Sequence, residues 1–252
     1  MSLTAANHLR TLAFGDISGG LWGAAVHTAS PVLVFGDSSG QTWSTALPAD
    51  GWILEGVGWR LTGEGIELHV MPGGEAEEME SGDADATADL SGCDELCRVR
   101  GTVAVGGADR RIDCVGTRCV IDGVDAGSLG SARIVSGWFD RDEAFMLLAL
   151  RAAGAVGQES DLVAATLFDP EGWVPVDDPR LSTTYGASGL PSRTNLELWI
   201  GEGEQEFPRR VAGEAAGDGA ALQVQETELR VIPLRCHSRG REGTGVYVLA
   251  TF

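Results

Sequence analysis

Short runs in which apolar and polar residues alternate dominate the chain, and a period of two marks a strand with one buried face. Cys97–Val105 (CRVRGTVAV) alternates cleanly, breaks at Gly106-Gly107 and resumes at Arg111 as RIDCVGTRC. That pattern predicts a β-hairpin with a glycine turn. Pro31–Phe35 (PVLVF), a GDSSG turn and QTWSTAL predict a strand pair. Trp52–Leu61 (WILEGVGWRL) and Ile66–Met71 (IELHVM) each read as a further strand. The second half adds strands at Ala132–Phe139, Ala144–Arg151, Leu162–Phe168, Thr194–Ile200, Ala221–Val224, Glu228–Leu234 and Gly245–Phe252. Only Leu147–Ala155 has the Ala and Leu content of a helix.

The halves align with each other in order. Trp22 answers Trp138, and Pro48-Ala-Asp-Gly-Trp52 answers Pro170-Glu-Gly-Trp173. Ile66–Val70 answers Leu196–Ile200, and Glu95–Val99 answers Glu228–Val231. A colinear series of this kind predicts an internal duplication. The turn-rich stretch Asp122–Gly130 supplies the boundary, giving domains 1–125 and 126–252. If the halves are copies, Trp52 should superpose on Trp173 and Leu68 on Leu198.

Composition narrows the partners. Acids outnumber bases 37 to 18, every base is Arg, and the net charge is −19. Arg without Lys reads as the mark of a GC-rich genome, the alternative being adaptation to salt or a repulsive, solubilising surface. The charge argues against nucleic acid and anionic membranes. The N-terminus has no charged region leading into an apolar core, and the longest apolar run, Ala144–Leu150, is strand-sized. These features predict a cytoplasmic protein without membrane insertion; they leave the oligomeric state open. The segment Gly73–Leu90 carries seven acids and no base and reads as an exposed loop. The 36 glycines suit many tight turns.

In layout, the chain resembles the tandem lipocalin-like proteins of the carotenoid hydratase (hydroxyneurosporene synthase) and AttH-like group, together with lipocalin-like cyclases of natural-product pathways. The residues behind the resemblance are ELCRVRG at Glu95–Gly101, the following RIDCVGTRC strand, the tryptophan-led strand at Trp138, the PEGW turn at Pro170–Trp173 and the terminal GVYVLATF. The resemblance implies an all-β fold of two tandem antiparallel lipocalin-like barrels or curled sheets related by internal duplication. It also implies an apolar cavity and isoprenoid- or polyketide-like chemistry. None of these motifs is catalytic, so it carries no site residue.

Candidate chemistry comes from the strands themselves. No GxGxxG, GxxxxGK[ST] or Gly-x-Ser-x-Gly motif is present, and no cofactor is expected. Cys93, Cys97, Cys114, Cys119 and Cys236 depart from zinc-knuckle spacing and read as small reduced thiols rather than a metal set. His8, His27, His69 and His237 are scattered. Glu55, Glu67 and Glu197 interrupt apolar strands. Alternation puts Glu67 on one face with His69 and Glu197 on one face with Trp199. Those faces meet either solvent or a cavity, and in a cavity burial would make the carboxyls usable general acids. Trp22, Trp59, Trp138 and Trp199, with His69, are the candidate ligand-binding residues; the alternative role for the tryptophans is core filling. The expected function is binding of a small hydrophobic molecule, with catalysis as a cofactor-independent hydratase, isomerase or cyclase. The alternative is a non-catalytic scaffold presenting the acidic loop Glu75–Asp89.

Overall fold

The computed structural model describes residues 8–18, 20–27, 30–73, 77–80, 91–122, 126–157, 161–201 and 208–252. The first sheet holds β1 (His8–Gly15), β2 (Leu21–His27), β3 (Val32–Asp37), β4 (Thr42–Ala46), β5 (Trp52–Glu55), β6 (Gly58–Gly63), β7 (Ile66–Pro72), β8 (Glu77–Glu80), β9 (Ser91–Val105) and β10 (Ala108–Asp122). The second holds β11 (Leu129–Trp138), β12 (Ala144–Ala152), β13 (Leu162–Asp169), β14 (Gly172–Pro175), β15 (Asp178–Tyr185), β16 (Pro191–Trp199), β17 (Arg209–Ala215), β18 (Ala220–Val224), β19 (Thr227–Ser238) and β20 (Arg241–Thr251). No helix among the described residues is long and apolar enough to cross a membrane.

The strand order β4-β3-β2-β1-β10-β9-β7-β6-β5, with β8 on β9, recurs as β14-β13-β12-β11-β20-β19-β17-β16-β15, with β18 on β19. All pairs are antiparallel, and each sheet curls. This shared topology carries the duplication. The residue pairings read from the sequence do not. Trp52 lies on β5 and Trp173 on β14, the counterpart of β4; Leu68 lies on β7 and Leu198 on β16, the counterpart of β6. Trp22 on β2 and Trp138 on β11 also sit on non-equivalent strands. Tryptophan is a packing residue that either copy can place on a different strand, so matching tryptophans misled the alignment. Only Glu95–Val99 and Glu228–Val231 fall on counterpart strands, β9 and β19.

The inner face of each sheet forms its own core. In the first, Leu12, Phe14, Leu33, Phe35, Trp52, Trp59 and Leu68 gather; in the second, Val135, Phe145, Leu147, Leu198, Ile232 and Tyr247 do so. The backs of β1–β3 and β10 pack on the backs of β11–β13, β19 and β20 through Trp22, Val34, Ile121, Ile134, Trp138, Met146 and Val248. Strands in this seam are buried on both faces, so their sequence need not alternate. Ala144–Leu150 is buried at every position. The helical composition of Leu147–Ala155 therefore yields to a strand running to Ala152, because each residue has a core to enter. The run Trp52–Leu61 is likewise two strands: Gly56, at φ 61°, turns the chain between β5 and β6. Within Gly73–Leu90, β8 is described; residues 74–76 and 81–90 lie outside the described set.

The seam holds a buried polar bridge, Thr117 Oγ1 to Ser136 Oγ at 2.8 Å. Thr244 Oγ1 donates to the Ile17 carbonyl at 3.0 Å, and Gln225 Nε2 donates to Ser30 Oγ at 2.7 Å. Both copies also fit an aromatic ring over a bare backbone, with the roles exchanged. Phe14 on β1 covers Gly23 on β2, whereas Phe145 on β12 covers Gly137 on β11. A Cβ on Gly23 would lie 2.3 Å from Phe14, and one on Gly137 2.4 Å from Phe145. Gly23→Ala should therefore cost about 1–3 kcal/mol by overpacking. Urea denaturation of G23A and of G23A combined with F14L checks this; the smaller side chain should recover part of the loss.

Candidate functional site

The expected acids lie on outward faces. Glu55 ends β5, and Glu67 and His69 project from the exposed side of β7. The fold does bring these three together. His69 Nδ1 is 3.7 Å from Glu55 Oε2, and its Nε2 is 3.6 Å from Glu67 Oε1. Arg60 Nη2 reaches Glu67 at 3.3 Å. Glu67 and His69 border a shallow groove of about 450 Å3 beside Arg100 and Arg111. Glu197 is on the other sheet, paired with Arg210 at 3.3 Å, and half-buried Trp199 shares its face beneath Arg180.

The other three tryptophans are buried. Trp138 packs within the seam. Trp59 belongs to the inner core of the first sheet, edge-on to Trp52 at 5.3 Å. Trp22 belongs to the seam, yet it also walls a crevice.

That crevice, about 330 Å3, is cut between the two sheets. Trp22, Asp37 and Thr42 line it from the first; Gly217, Arg235 and Thr244 line it from the second. Its walls are more polar than an apolar ligand cavity requires. Asp37 is the best-defined group. Its carboxylate is nearly buried, accepts hydrogen bonds from the Ser39 N–H at 2.9 Å and the Ser39 hydroxyl, and pairs with Arg110 at 2.7 Å. The Ser39 hydroxyl, and then Arg110, hold it below the ordinary carboxylate range. Asp37 is therefore a fixed anion: it can accept a hydrogen bond or face a developing positive charge, but it is a poor proton donor at neutral pH. The sequence held one cue to it, the Asp at the end of an apolar strand entering a GDSSG turn, where an aspartate bonds the backbone two residues on.

Charged groups also face inward, and sequence reasoning passed over them. In the first sheet Arg118 Nε and Nη2 donate to Glu95 Oε2 at 2.8 and 2.5 Å, and Nη2 also donates to the Val57 carbonyl at 2.8 Å. The guanidinium lies 5.0 Å from the Trp59 ring, capping the tryptophan pair. In the second sheet, Arg133 and Arg151 both grip Asp161. The cue was present: a charged residue in register with the buried positions of a strand, as Glu95 is with Cys97 and Val99.

Comparison with solved structures gives the same architecture. A protein assigned to AttH from Nitrosomonas europaea superposes with a TM-score of 0.66 at 12% identity, covering 97% of this chain and 92% of that one. The fold is that of the AttH-like proteins. CghA superposes with a TM-score of 0.68 at 12% identity, over 98% of this chain and 88% of its own; it has also been solved with Sch210972. Kievitone hydratase from Nectria haematococca gives 0.58 at 9% identity, over 98% and 89%. No protein-family model matches the chain, and no curated protein matches it in sequence. The AttH-like fold accounts for the tandem lipocalin-like sheets expected from the sequence.

The thiols lie inside this framework. Cys97, Cys114 and Cys236 are free thiols, and these three and Cys119 are buried. Desolvation pushes Cys97 far above the usual thiol range, Cys114 up to about 11 and Cys236 up to about 12. At pH 8 almost none of these three is thiolate, the form that alkylates. Iodoacetamide should leave them unmodified in the folded protein and label them fully in urea; peptide mass spectrometry distinguishes the two states.

Proposed function

We propose that this protein binds a small organic molecule in the crevice between its two sheets and acts on it without a cofactor, as a hydratase, isomerase or cyclase. The observation that carries this reading is the crevice itself: both copies wall it, a tryptophan ring borders it, and the Asp37 carboxylate, fixed by Ser39 and Arg110, lines it. Its volume falls at the lower end of the range for ligand sites, about 300–1,000 Å3. The shared fold with kievitone hydratase, and with CghA solved alongside Sch210972, supports small-molecule chemistry as the class.

In this reading the chain contributes shape and electrostatics. The Trp22 ring offers an apolar surface and a π face for a developing positive charge. Asp37 accepts a hydrogen bond from the ligand or offsets that charge, and the crevice holds reacting atoms near each other. The mixed lining suits a ligand that carries polar groups on an apolar frame. Among the expected ligand residues, Trp22 is the one assigned to this site. In this reading Glu55, Glu67 and Glu197 carry no catalytic role, because they lie on the outward faces of their strands, away from the crevice.

Titration of intrinsic tryptophan fluorescence with a panel of isoprenoids, polyenes and polyketides tests the reading. At least one class should quench saturably, and Thr42→Trp, which fills the crevice, should abolish that binding. Asp37→Asn should weaken binding about tenfold, the loss of one charge-assisted hydrogen bond. Because Asp37 is held below its ordinary range, wild-type affinity should stay flat from about pH 5 upward. A panel without any binder, or binding that survives Thr42→Trp, would reject the crevice.

A further inference from the structure

The turn between β1 and β2 separates two recesses. On one side lies the crevice, which Trp22 on β2, Asp37 on β3 and Thr42 on β4 wall from the first copy. On the other lies a recess of about 390 Å3, walled by β1, β9 and β10. Strand order explains the separation: β3 and β2 lie on one side of the turn, and β1, β10 and β9 on the other. The second copy walls this recess too, through Arg141 and Asp142. They sit on the turn between β11 and β12, the counterpart in strand order of the β1–β2 turn. Ile17, in the β1–β2 turn, lines both recesses.

Ile17 is held in place from both copies. Its carbonyl accepts the Thr244 Oγ1 hydrogen bond from β20 at 3.0 Å, and its side chain packs against the seam core while staying partly exposed. Asp16 fixes the start of the turn: its N–H donates to the Leu21 carbonyl at 2.8 Å, and its carboxylate accepts from the Ser18 N–H at 2.9 Å. A single anchored aliphatic side chain is therefore what the two spaces have in common.

The linings differ. The crevice is bordered by Asp37, Thr42, Arg235 and Thr244. In the second recess, Leu96 and Val115 are, like Ile17, apolar residues that pack on the seam core without being covered by it. Cys97 and Cys114 line the same recess. Burial pushes both thiols above their usual range, so they are neutral, and a neutral thiol packs as a small apolar group. Charge sits at the rim, on exposed Asp16, Arg141 and Asp142 and on the Arg98–Asp113 ion pair at 2.6 Å. A polar space and a largely apolar one thus meet at Ile17.

We propose that the second recess is the distal half of the ligand site, that it takes the apolar extension of an amphipathic molecule whose polar head occupies the crevice, and that Ile17 is the specificity-determining residue over which the extension passes. This rests on the crevice reading above and adds to it the class of ligand: a hydrogen-bonding head with an apolar tail long enough to cross Ile17.

Two probes that share one head test it: 4-ethylresorcinol and 4-hexylresorcinol, which differ only in tail length. Each methylene buried strengthens binding about fourfold, so isothermal titration calorimetry should find the hexyl probe at least about tenfold tighter. Val115→Trp, which fills the second recess, should bring the hexyl probe to the affinity of the ethyl probe and leave the ethyl probe unchanged. Should that variant lose the native circular dichroism spectrum, Asp142→Trp closes the same recess from its exposed rim and carries the same expectation. Ile17→Ala, which lowers the partition, should strengthen the hexyl probe about threefold and the ethyl probe not at all. Thr42→Trp should abolish both. A hexyl advantage that survives Val115→Trp or Asp142→Trp in folded protein would overturn the distal half and leave the crevice standing. Ethyl binding that survives Thr42→Trp would reject the crevice, and the proposal with it. Absence of binding by both probes would overturn the proposal, while the ligand panel above still judges the crevice.

Discussion

The seam between the two sheets is the constraint on which the rest of the molecule depends. An open antiparallel sheet can bury one face by curling on itself, but its back remains to be covered. Here each copy covers the other. β1, β2 and β10 present Leu9, Trp22, Val26 and Ile121, and β11, β12 and β20 answer with Ile134, Trp138, Leu148 and Val248. The buried Thr117–Ser136 bridge satisfies two hydroxyls that would otherwise lose their hydrogen bonds to water, at a cost of about 1–3 kcal/mol each. Because the seam is apolar along most of its length, the halves cannot slide without exposing it. The crevice at its margin is therefore a fixed feature: Trp22 belongs at once to the seam core and to the crevice wall.

Duplication explains the economy of the design and the divergence of its interiors. Both copies needed the same strand order to produce complementary backs, so topology was held. Inner faces were free to change as long as each stayed packed. The exchange of Phe and Gly between neighbouring strands, Phe14 over Gly23 and Phe145 over Gly137, shows how packing can persist while the sequence supplying it moves. The same freedom let Arg118 and Glu95 occupy positions that Tyr247 and Ile232 fill in the other copy.

Legibility in the sequence followed burial. Strands with one solvent face, such as β7 and β9, show the alternation that physics demands, and Ile66–Met71 and the Cys97–Cys119 hairpin were readable from it. Strands in the seam lost that signal. β1 and β2 went unread because Gly23, Ala24 and Ala25 carry no alternation, and Leu147–Ala155 looked helical for the same reason. The repeat was legible as a duplication, but its residue matching was not, since a shared tryptophan does not fix a shared strand. The acids singled out, Glu55, Glu67 and Glu197, were conspicuous because apolar neighbours flanked them. That is how an outward residue on a half-buried strand looks. The inward charges were harder to see because each needs a partner distant in sequence, 23 residues for Arg118 with Glu95 and 28 for Arg133 with Asp161.

The distribution of charge bears on how ligands could reach the crevice. A net charge of −19 surrounds the molecule with a negative potential, which disfavours the approach of an anion. At an exposed surface that effect is screened beyond about 8–10 Å by salt, whereas a guanidinium held in a partly dry recess is screened far less. At the crevice, Asp37 is neutralised by Arg110 at 2.7 Å and Arg235 stands in the facing wall, so that recess has no single sign of charge. Such a recess can select among ligands by where their polar groups fall, without any change in the seam that holds it in place.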